Sequence, residues 1–170
     1  GKHQPENDMS NTYIGTKLIK ALPMSRQEYN DYRGWELPSD ENGNDAGYLV
    51  EYLDGGQAND SRHAGYISWS PAAVFDNAYR KTDGISFGLA IEAMKLGKKA
   101  CRAGWNGKGM WVAMSPGSQF LPEHAKPGHA AYHMAAGRTD PINLCPHIDM
   151  KAADGSLVIG WLASQTDMLA

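Results

Sequence analysis

The stretch SFGLAIEAMKLGKKA, residues 86–100, carries the clearest helix signal in the chain. Phe87, Ile91 and Met94 recur at i, i+4 and i+7, which places one apolar stripe along a helix. Ser86 is suited to cap its start, and a glycine near its end is suited to stop it. Because one apolar face needs a partner, we expect this helix to pack on an antiparallel sheet built from the hairpins that follow.

Two hairpin signals follow this helix. An Asn-Gly pair inside GWNGKGMWVAM, residues 104–114, predicts a turn between a short strand through Cys101 and the strand MWVAM. The run HIDMKAADGSLVIGWLA, residues 147–163, predicts a second hairpin that turns at residues 153–155. Between them, residues 115–144 carry little periodicity and are predicted to be a long loop.

The chain closes on SQTDMLA, which predicts a short helix because Ser164 and Asp167 stand at capping-box spacing. The same signal appears near the other end, where Ser25 and Glu28 predict the start of a helix that Gly34 stops. The run TYIGTKLIKA before it, Thr12 to Ala21, predicts a strand.

The middle of the N-terminal half predicts a hairpin and a helix. GYLVEYL, residues 47–53, and GYISWS, residues 65–70, are interpreted as paired strands with a long connection. In SPAAVFDNAYR, Ser70 is expected to cap a helix and Pro71 to take its first position. The buried stripe of that helix is predicted to be Val74, Phe75, Ala78 and Tyr79.

These elements predict an α+β chain with small antiparallel sheets, short flanking helices and two subdomains. Residues 1–12 are polar and are interpreted as an arm, a tag remnant or an upstream extension, with Met9 as a candidate start. Residues 13–80 form an N-terminal α+β segment without an assigned role. A joint at residues 81–84 precedes the second subdomain, residues 84–170.

Composition excludes several classes of function. Residues 1–80 carry twelve Asp and Glu against seven Lys and Arg, and residues 81–170 carry seven against nine. Neither part has the basic stripe that polymeric nucleic acid requires, although the second could favour a small anion. No apolar run reaches the roughly 18 residues that span a bilayer. Cys101 and Cys145 are expected to be free thiols in a reducing compartment.

Candidate catalytic and metal-binding groups are sparse. His124, His129, His133 and His147 lie near Cys145, and one pair has i, i+4 spacing, but the flanking Ala, Gly and Pro residues do not favour a metal site. We therefore expect these histidines to be surface residues, with no metal and no cofactor.

Nucleophilic chemistry is also disfavoured by the sequence. Cys101 is expected to pack within a strand, Ser164 is better explained as a helix cap, and Asp149 and Asp154 are interpreted as flanking a hairpin turn. No nucleophile elbow or phosphate loop is present. No catalytic residue is assigned, and we expect a protein that is not an enzyme. Two other aromatic residues, Trp35 and Trp69, are expected to lie in the core.

Two segments combine aromatic and polar residues in the manner of a nucleotide site. Trp105 can stack on a base while Asn106 and the exposed backbone amides around it take hydrogen bonds. Gln165, Thr166 and Asp167 offer donors and acceptors at a helix start, where the dipole favours phosphate. A hairpin turn and a capped helix remain the simpler alternatives for these segments.

The strings SFGLAIEAMKLGKKACRAGWNGKGMW, PHIDMKAADGS and WLASQTDMLA resemble a family of small phage proteins, the second type of Thoeris anti-defence protein, over residues 84–170. The resemblance implies a sponge that binds a cyclic ADP-ribose isomer in the host cytoplasm and holds it intact. It also implies a homotetramer with ligand between protomers, and cyclic dinucleotides as further ligands of some members.

On this resemblance, an aromatic clamp carries over to Phe87 and Trp105, and polar ligand contacts to Asn106, Gln165, Thr166 and Asp167. The N-terminal half resembles a segment often joined to this domain in phage proteins. Two alternatives stay open: a phage structural or interaction protein without a nucleotide pocket, and a hydrolase of cyclic nucleotide signals, for which the histidine-rich loop is the candidate.

Overall fold

The computed structural model describes residues 9–170, so the first eight residues of the predicted polar arm lie outside the described part. The described chain contains five α-helices and three small antiparallel sheets, which confirms the predicted α+β class. It divides into two compact units, Gly1–Asp83 and Gly84–Ala170. None of the helices within residues 9–170 is long and apolar enough to cross a membrane.

The first unit is built on a three-stranded antiparallel sheet of β1 (Ile19–Pro23), β2 (Gly47–Tyr52) and β3 (Ile67–Pro71), in that order. The predicted pairing of β2 with β3 is confirmed, with Leu49 opposite Trp69. The prediction of a strand from Thr12 to Ala21 was wrong in its bounds, because pairing with β2 begins only at Ile19, opposite Tyr52, where β2 ends.

Helix α1 (Arg26–Arg33) begins with the predicted capping box. The Glu28 backbone N–H donates to Ser25 Oγ at 3.1 Å, and the Ser25 backbone N–H donates to Glu28 Oε1 at 3.4 Å. The helix ends at Gly34, whose φ of 71° is the left-handed conformation that favours glycine. The inner face of α1 contributes to the first hydrophobic core. This core contains Tyr29, Leu49 and Ile67, and the half-buried side chains that pack against it are Met24, Tyr32 and Trp69.

Replacing Ser25 with alanine is expected to lower the free energy of unfolding by about 1 kcal/mol, because the Glu28 backbone N–H loses its acceptor, Ser25 Oγ. Urea unfolding followed by circular dichroism would measure the change. Ser39→Ala, at an exposed loop position, is the matched control. Equal effects of the two substitutions would contradict a stabilising role for the capping box.

Helix α2 (Ala72–Ala78) starts differently from the prediction. Pro71 occupies the cap position and no side chain caps the helix. Ser70 stays within β3, and its hydroxyl donates to the Pro71 carbonyl at 3.4 Å. The strand pairing that holds Ser70 opposite Tyr48 therefore outweighs the local capping preference.

The predicted buried stripe of α2 was only partly right. Phe75 stacks on Tyr48 at 3.9 Å between ring centroids, and Tyr79 tilts against Phe75 at 5.1 Å. Val74 and Ala78 are exposed. Aromatic contacts thus hold one edge of this short helix to the sheet.

In the second unit, helix α3 (Phe87–Lys95) packs on an antiparallel sheet, as predicted. Ser86 caps it, and its side chain accepts from the Leu89 backbone N–H at 3.4 Å. The sheet consists of β4 (Trp111–Ser115), β7 (His147–Lys151) and β8 (Leu157–Val158), in that order. The core between helix and sheet contains Met94, Val112 and Met150.

The two predicted hairpins of this unit had different outcomes. The turn between β7 and β8 is confirmed, with Gly155 at a φ of 87°. The strand predicted through Cys101 is reduced to one isolated bridge between Ala100 and Val112. Cys101 is exposed rather than packed, because the chain leaves the sheet directly after the bridge and forms turns up to β4.

The prediction of a structureless loop over residues 115–144 was wrong. Two three-residue strands, β5 (Ser118–Phe120) and β6 (Ile142–Leu144), pair antiparallel within it. A 3-10 helix, Pro122–His124, and a short helix, α4 (Ala130–Ala135), lie between them. Elements of three to six residues are too short to show a hydrophobic period, so the sequence gives no signal for them.

Candidate functional site

The closing helix α5 (Gln165–Met168) has the predicted capping box. The Asp167 backbone N–H donates to Ser164 Oγ at 3.1 Å, and Asp167 Oδ2 accepts from the Ser164 backbone N–H at 2.9 Å. The helix is a single turn, so it offers little of the dipole on which the predicted phosphate contact depended. Its main role is to hold the Asp167 carboxylate in one orientation.

That carboxylate links α5 to the turn before β4. Its Oδ1 atom accepts from the Trp105 indole N–H at 3.0 Å and from Arg102 Nη1 at 2.9 Å. The predicted site residues Trp105 and Asp167 are therefore in direct contact. Because Asp167 bonds to the protein through both oxygens, it positions Trp105 and Arg102 rather than presenting a free carboxylate.

Trp161 joins the two predicted clamp residues. Its ring centroid lies 5.9 Å from that of Trp105 at an interplanar angle of 76°, and 6.5 Å from that of Phe87. All three rings are half-buried. We call Phe87, Arg102, Trp105, Trp161 and Asp167 the Trp105 cluster. Sequence reasoning missed Arg102 and Trp161, although both lie within the strings that carry the family resemblance.

The three remaining predicted site residues lie at the exposed margin. Asn106 follows Trp105 in the turn, and Gln165 and Thr166 form the first residues of α5. The Thr166 hydroxyl lies 2.9 Å from Ser164 Oγ. Asn106 and Gln165 are exposed, so their amide groups are accessible beside the aromatic rings.

The hydrogen bonds around Asp167 affect its protonation. Bonds from the Ser164 backbone, the Trp105 indole, the Ser164 hydroxyl and Arg102 hold the pKa of this carboxyl well below its ordinary value. The folded form therefore binds a proton less readily than the unfolded chain. The stabilisation by the carboxylate is present above the unfolded pKa of about 3.9 and is lost as the pH falls below it.

We expect Asp167→Asn to lower the melting temperature more at about pH 7 than at about pH 3. In acid the wild-type protein itself loses the stabilisation that the ionised Asp167 provides, so the two proteins differ less. Thermal unfolding at a series of pH values would measure the difference between the two proteins. Asp140→Asn, at a side chain that is 72% exposed, controls for the loss of one negative charge. A difference that stays constant with pH would contradict the assignment.

A second cluster, which the sequence did not reveal, surrounds Asp149. This residue was interpreted as flanking a turn, but it lies within β7 and is buried. Its Oδ2 atom accepts from Ser115 Oγ at 2.5 Å, and its Oδ1 atom pairs with His147 Nδ1 at 2.6 Å. Oδ1 also accepts from the Gly160 backbone N–H at 3.0 Å. The available signal was the i, i+2 spacing of His147 and Asp149, which places both on one face of a strand.

The chemistry of this Asp149 cluster is limited by its connectivity. Burial alone would raise the pKa of Asp149, but the hydrogen bonds from Ser115, Gly160 and His147 together lower it. A carboxylate on Nδ1 orients an imidazole as in a catalytic triad. Ser115, however, bonds to the carboxylate rather than to the imidazole, so the cluster contains an oriented base without a paired nucleophile.

The three histidines between β5 and β6 show no shared site. His124, His129 and His133 are exposed, and His129 stands at the cap position of α4 rather than inside a helical pair. Within residues 9–170, no three His, Cys, Asp or Glu side chains are grouped closely enough to hold a metal ion.

Comparison with known proteins identifies the unit that contains both clusters. Residues 85–170 match the family described as the Thoeris anti-defense 2-like domain. A relative named Thoeris anti-defense 2, from Bacillus phage SP01, is 35% identical over 88 residues. That alignment covers 51% of this chain and 88% of the relative.

Proposed function

Because the chain belongs to the Thoeris anti-defence 2-like family of phage anti-defence proteins, we propose that its unit Gly84–Ala170 captures a cyclic ADP-ribose isomer and holds it intact. Removal of the signal from solution would keep it from its receptor. The proposed action is thus sequestration in the host cytoplasm.

The main support for this proposal is that one carboxylate accepts hydrogen bonds from both an indole and a guanidinium. Asp167 holds Trp105 and Arg102 at 3.0 Å and 2.9 Å from the same oxygen atom. An indole fixed at its N–H leaves its ring for stacking on a base. Asp167 balances the charge of Arg102, which is one-third exposed, but the guanidinium has further N–H groups that can donate to a phosphate.

The residues around this cluster favour binding over cleavage. Phe87 and Trp105 carry no reactive group, and the amides of Asn106 and Gln165 can donate and accept hydrogen bonds without moving a proton. The Asp167 carboxylate is occupied by its own hydrogen bonds. This set supports a protein that encloses a nucleotide without activating water.

Assembly belongs to the same proposal. We propose a homotetramer with ligand between protomers, and cyclic dinucleotides as further ligands at separate sites. Light scattering is therefore expected to report four times the chain mass of 18.5 kDa at micromolar concentration. A monomer at that concentration would contradict a site between protomers, while leaving a site within one chain open to the capture experiment below.

The Asp149 cluster favours one second candidate, a hydrolase of cyclic nucleotide signals. An imidazole oriented by a buried carboxylate is a suitable general base for a water molecule. His147→Gln separates the two candidates, because a hydrolase would lose turnover with this substitution. For a sponge, capture is expected to be the same in the wild type and in His147→Gln.

A mass-balance experiment tests capture directly. The protein is incubated with cyclic ADP-ribose made by a TIR enzyme, free ligand is removed, and the protein is heat-denatured. We expect unmodified ligand to be released in stoichiometric amount, with nanomolar affinity, which corresponds to about −12 kcal/mol. Linear ADP-ribose in excess over the protein, lost in His147→Gln, would establish the hydrolase instead. No retained ligand and no product would overturn both candidates.

A further inference from the structure

The first unit, which the proposed function does not use, contains a groove of about 550 Å³. Pockets that hold small ligands are commonly of this size. The groove lies among α1, the segment that follows it, and β3. The lining residues that matter below are Arg33, Trp35, Glu36, Asn59, Tyr66 and Trp69.

One wall of the groove is the outer edge of β3. This strand pairs with β2 on one side only and stands last in its sheet. In an antiparallel pair, every second residue of a strand forms backbone hydrogen bonds to its neighbour. The Tyr52 backbone N–H donates to the Tyr66 carbonyl at 2.9 Å, so Tyr66 is one of the residues that bond to β2. The backbone groups of Ile67 and Trp69 therefore point away from β2, toward the open edge.

Asn59 already acts as a partner at one position of this edge. Its Nδ2 atom donates to the Ile67 carbonyl, and its Oδ1 atom accepts from the Ile67 backbone N–H, both at 2.8 Å. Arg33 donates to the Asn59 carbonyl at 3.4 Å and fixes this residue. The amide thus pairs with Ile67 as a neighbouring strand would. In the described part of the chain, no side chain does the same for Trp69.

Aromatic side chains line the groove beside this open position. Trp35 is 51% exposed and Tyr66 is 47% exposed. The prediction that Trp35 lies in the core was therefore wrong, whereas Trp69 packs against the core as predicted. The Arg33 guanidinium lies 4.3 Å from the Trp35 ring centroid and holds the indole in place.

The charge around the groove favours a basic partner. The segment from residue 34 to residue 46 has four acidic residues and no basic one. Two arginines line the groove, and both are paired with carboxylates. Arg26 pairs with Glu41 at 3.5 Å and with Asp45 at 3.4 Å. Arg33 pairs with Asp60 at 3.9 Å. Glu36 lines the groove and makes no ion pair within residues 9–170. An anionic nucleotide would meet this carboxylate, whereas a lysine or arginine would be attracted to it.

We propose that this groove binds an extended, basic peptide segment of another protein. One residue of the segment pairs through its backbone with the Trp69 N–H and carbonyl, as in strand addition. An apolar side chain packs against Trp35 and Tyr66, and a basic side chain lies near Glu36. The first unit is thus a peptide-docking module, independent of nucleotide capture by the second unit.

Selection from a displayed library of short random peptides, with the full chain as bait, tests this proposal. We expect peptides that combine lysine or arginine with an apolar residue. Their affinity should fall by about tenfold or more in Glu36→Lys and in Trp35→Ala. Asp76→Lys, which makes the same charge change on exposed α2, and Val74→Ala, at a side chain that is 59% exposed, are matched controls expected to bind normally.

The backbone pairing has its own test. N-methylation of the selected peptide, one residue at a time, is expected to abolish binding at a single interior position, because Asn59 occupies the next pair of backbone groups along β3. Circular dichroism of each protein variant would show whether it is folded. The proposal is overturned if no peptide is enriched, if the peptides are acidic, if Glu36→Lys binds them normally, or if no N-methyl position matters.

Discussion

Replacing Met94 with alanine is expected to lower the free energy of unfolding of the second unit by about 2–5 kcal/mol. Met94 is 2% exposed and packs with Val112 and Met150 between α3 and the sheet. Its removal leaves a cavity in a small core, which the surrounding side chains can fill only in part. Chemical denaturation of the full chain, followed by the fluorescence of its tryptophans, would measure the loss.

Met134→Ala is the matched control for this substitution, because Met134 is 53% exposed on α4. We expect it to change stability by less than about 0.5 kcal/mol. Trp105 and Trp161 pack against the same core, so Met94→Ala should also weaken nucleotide capture. Similar losses in Met94→Ala and Met134→Ala would mean that the α3 core does not hold this unit together.

The parts of the fold that could be predicted are those with local causes. The capping boxes at Ser25 and Ser164 depend on residues three positions apart, and both are present. The turn at Gly155 needs a left-handed residue, which glycine provides. The helical stripe of α3 repeats often enough to be recognised from sequence alone.

The parts that could not be predicted depend on partners far along the chain. The strand before Pro23 begins where β2 ends, and no property of residues 12–18 marks that point. Cys101 leaves the sheet because only Ala100 pairs with β4. The same reason applies to Ser70, which remains in a strand although its sequence context favours a helix cap.

In the candidate site, too, local features could be predicted and contacts between distant residues could not. Trp105 and Asp167 were each predicted from their own segments, but their hydrogen bond joins residues 62 positions apart. Arg102 carried no signal, because its role depends on a carboxylate that the fold brings to it. The Asp149 cluster was missed because Ser115 reaches it from another strand. The sequence thus indicates Trp105 and Asp167, whereas their pairing and the participation of Arg102 require the fold.

Trp105→Ala is expected to weaken binding of cyclic ADP-ribose by about 1–3 kcal/mol, or roughly 5- to 150-fold, through loss of the stacking face. Isothermal titration with purified ligand would measure it. Trp35→Ala removes a tryptophan from the other unit and is expected to leave nucleotide binding unchanged. The pair also separates the two proposals, because the same Trp35→Ala should weaken peptide docking by about tenfold or more, while Trp105→Ala should not affect it.

Trp105→Phe distinguishes the two roles of this side chain. Phenylalanine keeps an aromatic face but cannot donate to Asp167, a bond of 3.0 Å in the folded protein. If stacking dominates, Trp105→Phe should bind much more tightly than Trp105→Ala. If Asp167 must fix the ring, the two variants should bind equally weakly, and Asp167→Ala, which leaves no acceptor for the indole N–H, should resemble them. Normal binding by Trp105→Ala, with its fold retained, would place the nucleotide site elsewhere and contradict the Trp105 cluster as its location.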